Sequence, residues 1–134
     1  MVLVSRSSDR RLERRYHAGI STLVAGCGWL LLSSSPSPMV AMAAFSLVAM
    51  GAYSFFGPFW AMPSEFLCGY AAASGIAMIN SIGNLGGFAG PYTIGFIKDR
   101  TGSVSWGLAF VGISMCVSAV LLFTLPKKAH AQDC

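Results

Sequence analysis

Residues 74–96 read SGIAMINSIGNLGGFAGPYTIGF. The stretch is uncharged and mostly apolar. Yet Asn80 and Asn84 lie near its middle, surrounded by Gly83, Gly86, Gly87 and Gly90. A spacing of four places both amides on one helical face, which continues through Gly87 and Pro91. A primary amide in hydrocarbon is unfavourable unless it finds a partner. That face is expected to meet other helices or a wet cavity, not lipid. Gly83 with Gly87, and Gly86 with Gly90, form small-xxx-small pairs that let a neighbouring backbone approach closely. Ala71 and Gly75 extend the small surface. Pro91 removes an internal helix hydrogen bond, which predicts a bend in the second half. Two roles fit the amides. They either glue helices together, at about 0.6–2 kcal/mol each, or line a transport path, with Ser81 beside them. Residue chemistry leaves these evenly matched.

The surrounding chain has the composition of a membrane protein. Of 134 residues, 54% are hydrophobic and only 10% charged, with a mean hydropathy of +0.63. Soluble domains carry about 25% charge, and a small one must expose much of its surface. A lipid solvent removes that conflict. Four apolar runs are read at residues 16–33, 39–62, 70–97 and 104–125. Each approaches the roughly 20 residues that a spanning helix requires, the first only narrowly. None has Asp, Glu, Lys or Arg in its interior, where each costs about 2.5–3.5 kcal/mol. Nothing alternates at period two, so strands are not expected. The fold class is an all-α membrane protein with four transmembrane helices. Residues 1–15 form a basic loop, and residues 126–134 form a tail.

The charges sit at the borders of these runs. Arg6, Arg10, Arg11, Arg14 and Arg15 precede the first, Lys98 and Arg100 follow the third, and Lys127 and Lys128 follow the fourth. Nucleic-acid binding would need a basic face, and none is present. The links SSPSP (34–38), PSEFLCG (63–69) and KDRTGS (98–103) are short, so successive helices must run antiparallel. The N-terminus, the 63–69 link and the C-terminus then share one side with seven basic residues, against two on the other. The positive-inside rule makes that side, and both termini, cytoplasmic. The basic start with VAMA at 40–43 imitates a secretory signal peptide. Three further spanning runs and the acidic Asp9 and Glu13 argue against one.

Other features carry less chemistry. The second run ends YSFFGPFWAMPSEF (53–66). Its aromatic residues read as interfacial anchors, although Tyr53 and Phe56, deeper and sharing a face, are candidates for ligand contact. SDRRLERR (8–15) reads as a solvated loop or as a gate in which Asp9 caps a helix and arginines pair with carboxylates. Cys27, Cys68, Cys116 and Cys134 have no metal or disulfide spacing, so they read as small hydrophobes plus one tail thiol. No nucleophile–base pair or carboxylate dyad appears. GNLGGFAG lacks the spacing and preceding strand of a nucleotide loop. No enzyme activity, metal or cofactor is expected.

The motifs resemble the major facilitator superfamily, specifically its anion:cation symporter branch of phthalate, tartrate, hexuronate and hydroxyphenylacetate permeases. Residues 63–103 are similar to that family's eleventh helix and flanks, through INSIGNLGGF at 79–88 with Gly90–Pro91, and through Gly95, Lys98, Asp99 and Thr101–Ser103. SDRRLERRYH (8–17) is similar to its charged loop between helices eight and nine. The resemblance implies helices nine to twelve of a twelve-helix transporter in a bacterial inner membrane. It implies alternating access between two six-helix halves, with a small organic anion as substrate and protons as the driving force. It places Asn80 and Asn84 toward the central cavity, and makes Asp9, Arg10 and Arg14 part of a gating loop. The partners are then the bilayer, the anion, the proton and the transporter's other helices. As such a fragment, the chain is not expected to transport alone. Two alternatives remain: a small four-helix interaction or assembly subunit, and a self-assembling small exporter. The exporter reading is weakened by the lack of a membrane-embedded acid.

Overall fold

A computed structural model describes Arg6, residues 14–35, 37–63, Leu67 and residues 69–125. Four helices fill this region: α1 (Arg14–Ser33), α2 (Pro38–Ala61), α3 (Gly69–Thr101) and α4 (Val104–Thr124). No strand occurs among the described residues. The helix starts follow local chemistry. Ser37 caps α2, its hydroxyl accepting from the Val40 amide at 3.4 Å, and Pro38 takes the first helical turn, where its missing N–H costs nothing. Ser103 caps α4, accepting from the Ser105 amide at 3.2 Å.

α3 departs from the expected bounds. It runs through the whole KDRT stretch, which the sequence reading assigned to a link. Lys98 and Arg100 lie in its last turn, where cations offset the negative end of the helix dipole. The Arg100 guanidinium also sits over the Phe96 ring, 5.3 Å from its centroid. Gly102, at φ +73°, then ends the helix and donates to the Lys98 carbonyl at 2.7 Å. The helix is continuous through Pro91.

α1 is the hub. It packs along both α2 and α4, while α3 packs chiefly on α4 and more sparsely. The hub works because α1 is lined with small residues: Ala18, Gly19, Ser21, Thr22, Ala25, Gly26 and Gly28 are all buried. Two seams follow. Toward α2, a Cβ on Gly51 would stand 2.6 Å from the Ala25 nitrogen and 2.6 Å from the Ser21 carbonyl oxygen. Toward α4, a Cβ on Gly26 would stand 3.1 Å from the Gly112 carbonyl oxygen, and one on Gly19 would enter the Phe123 ring. Helices in lipid have no hydrophobic drive to associate, so close backbone approach supplies the packing.

α2 and α4 are long and apolar enough to cross a membrane. α1 and α3 fall short of the same measure. Arg14, Arg15 and His17 dilute the start of α1, and the amides, hydroxyls and glycines dilute α3.

Candidate functional site

The candidate residues do not converge on one pocket. Asn80, Ser81 and Asn84 lie on the exposed surface of α3, a helix with no buried residue at all. Ser81 donates to the Ala77 carbonyl at 2.8 Å, satisfying itself within its own helix. Neither asparagine amide has a hydrogen-bond partner among the described residues. The glycines beside them face open space. A Cβ on Gly83, Gly86, Gly87 or Gly90 would meet nothing within 4 Å. Pro91 is likewise exposed. The close helix approach expected at these glycines is therefore not made by the described helices. It is made at the α1 seams, which the sequence reading missed. The signal was there in Ala18, Ser21, Ala25 and Gly28, spaced along one face of AGISTLVAGCG (18–28).

Tyr53 and Phe56 part company. Tyr53 is 66% exposed, and Phe56, itself 44% exposed, lines a cavity of about 630 Å³ between α1, α2 and α4. Phe55, Phe59, Met115 and Leu121 share its wall with Thr22 and Ser118. Phe55 stacks on Phe59 at 4.5 Å between centroids, and Phe59 meets Trp60 edge-on at 5.3 Å. The only hydroxyls on this wall are already used. Thr22 donates to the Ala18 carbonyl at 2.9 Å and Ser118 to the Ser114 carbonyl at 2.9 Å. Among the described residues, no charged side chain lines the cavity. α2 and α3 share no extended interface, which keeps Phe56 apart from the α3 amides.

Arg14 has a definite place. Its guanidinium donates to the Ala61 carbonyl at 2.9 Å, the last residue of α2. Arg15 beside it donates to the Leu125 carbonyl at the C-cap of α4, and to the Tyr16 hydroxyl at 3.2 Å. The Arg15 guanidinium also lies 4.7 Å from the Tyr16 ring centroid. Terminal carbonyls of a helix lack intrahelical partners and carry its partial negative charge. The two arginines thus satisfy the ends of α2 and α4, and hold the start of α1 against both. This brings together three of the four helix ends that the short links place on one side. Asp9 and Arg10, the other gating candidates, lie outside the described residues, as do Glu65 and the 126–134 tail.

No family model matches the chain, and no solved structure does. Curated relatives do. A protein of Agrobacterium vitis named for tartrate transport is 46% identical over 96% of this chain. A quinolone resistance transporter of Acinetobacter baumannii is 37% identical over 98%. The inner membrane transport protein RhmT of Escherichia coli strain K12 is 34% identical over 92%. The chain spans about 30% of the length of these relatives. They are transporters, not enzymes. With the all-helical fold and two membrane-capable helices, nearly end-to-end similarity to them makes this chain an integral membrane protein, homologous to a segment of transporters of the major facilitator type.

Proposed function

We propose that the chain supplies helices nine to twelve of a proton-coupled organic-anion symporter working by alternating access, and that it does not complete a transport path by itself. The observation that carries this reading is the uncovered face of α3. Asn80, Ser81 and Asn84 share it with glycines that touch nothing. An amide left without a partner in an apolar medium costs about 2–7 kcal/mol by transfer measures. Two on one face make bare lipid an unstable neighbour. Helices outside this chain, with water and substrate between them, satisfy the same groups. Tartrate transport in the Agrobacterium vitis relative's name supports a small dicarboxylate as one substrate class.

The charge count supports a cytoplasmic site for both termini, and the inner membrane named for the Escherichia coli relative supports that compartment. The cationic, proton and substrate-carboxylate groups of the site then belong to the rest of the transporter. The experiment is Asn→Leu at the position equivalent to Asn84 in the tartrate transporter. Uptake should fall at least tenfold, with the purified protein still monodisperse and helical. Unchanged kinetics would return the asparagines to a gluing role.

A further inference from the structure

Cys27 and Cys116 lie 89 positions apart in the sequence, each within an apolar run. The fold brings them together across the α1–α4 seam, where both are free thiols. The Cys116 sulfur lies 2.8 Å from where a Cβ on Gly26 would stand, and the Cys116 nitrogen 3.2 Å from it. Gly26 is the residue beside Cys27, and its lack of a side chain lets the α4 backbone come this close. A disulfide needs Cα atoms within about 7 Å and side chains that face each other. Two helices rarely come near that condition, and Gly26 brings the α1 and α4 backbones close beside Cys27. Cys27 is exposed and Cys116 partly so, leaving the pair open to a small lipid-soluble reagent.

We propose that Cys27 and Cys116 form an oxidation site that clamps α1 to α4 through an intrachain disulfide. The oxidant is a lipid-soluble small-molecule disulfide. The thiolate of one cysteine attacks a reagent sulfur, breaking the reagent S–S bond, forming a mixed disulfide and releasing one reagent thiol. The thiolate of the second cysteine then attacks the protein sulfur of that mixed disulfide. The Cys27–Cys116 bond forms and the second reagent thiol leaves. The cysteine pair loses two electrons and its two protons, which end on the two released thiols. A thiol reductant reverses the step. Because α1 also carries α2, the clamp fixes the three-helix hub while leaving α3 unrestrained.

The test uses the full chain in detergent, with Cys68→Ser and Cys134→Ser to leave only this pair. One equivalent of 4,4′-dithiodipyridine is added and the intact mass recorded. The clamp predicts a mass lower by about 2 Da, no retained pyridyl group and a linked peptide containing both cysteines. Adding Cys116→Ser should leave a stable pyridyl adduct on Cys27. Retained adducts on the two-cysteine chain, bonds between chains in place of an intrachain bond, or no reaction would each overturn the proposal.

Discussion

Gly51 and Gly86 look alike in sequence, each a glycine within an apolar helix, but they stand in opposite environments. The Gly51 Cα abuts the α1 backbone, with no room for a Cβ against Ala25. Gly51→Leu must push α1 and α2 apart. Overpacking of this kind costs about 1–3 kcal/mol, so an unfolding titration of the detergent-solubilised chain should show an earlier midpoint. Gly86→Leu meets open space and should shift the same midpoint by less than about 0.5 kcal/mol. In the tartrate transporter, the substitution equivalent to Gly86→Leu should impair assembly or uptake, because there the other helices are present. Equal effects of both substitutions on this chain would mean that the seams are wrongly placed. The arginines give a second prediction at this scale. Arg15→Ala removes hydrogen bonds to the C-cap of α4 and to Tyr16, and should lower stability by about 0.5–1.5 kcal/mol in the same titration.

At the scale of elements, α3 sets the terms. It is the longest helix, and it carries the polar and small residues that gave the sequence its character, yet it contributes nothing to the buried interior. Proteolysis in detergent should therefore cut within α3 before α1 or α4, because local opening there sacrifices little packing. Preferential cleavage within α1 would contradict the hub. The helical class was legible because apolar runs of spanning length alternate with Ser/Pro or charged links. The end of α3 was less so. Lys98, Asp99 and Arg100 look like a loop by composition, but a cationic last turn and Gly102 extend the helix to Thr101. Helix partners were not legible from single-helix patterns. GxxxG-type spacing in residues 83–90 marks a surface able to pack closely, but only the tertiary arrangement decides whether a neighbour is there. The same limit hid the closeness of Cys116 to the α1 backbone beside Cys27. The polar face of Asn80, Ser81 and Asn84 was legible as a shared helical face, because a spacing of four fixes it regardless of what lies opposite.

For the whole molecule, two surfaces carry different meanings. The cavity between α1, α2 and α4 is lined by apolar side chains and two hydroxyls among the described residues. The α3 face is polar and uncovered among the described residues, so it asks for partners that the described helices do not supply. An organic-anion path built on that face needs the cationic groups and the second wall of the complete transporter. The most direct measurement is proton-driven uptake of labelled tartrate into vesicles, made first with this chain alone. It is then repeated with the chain co-expressed with the remaining length of the Agrobacterium vitis tartrate transporter. No uptake above empty vesicles is expected in the first case, and saturable, gradient-dependent uptake is expected in the second. Saturable uptake by the chain alone, or none from the co-expressed pair although the two parts associate, would contradict the proposed function.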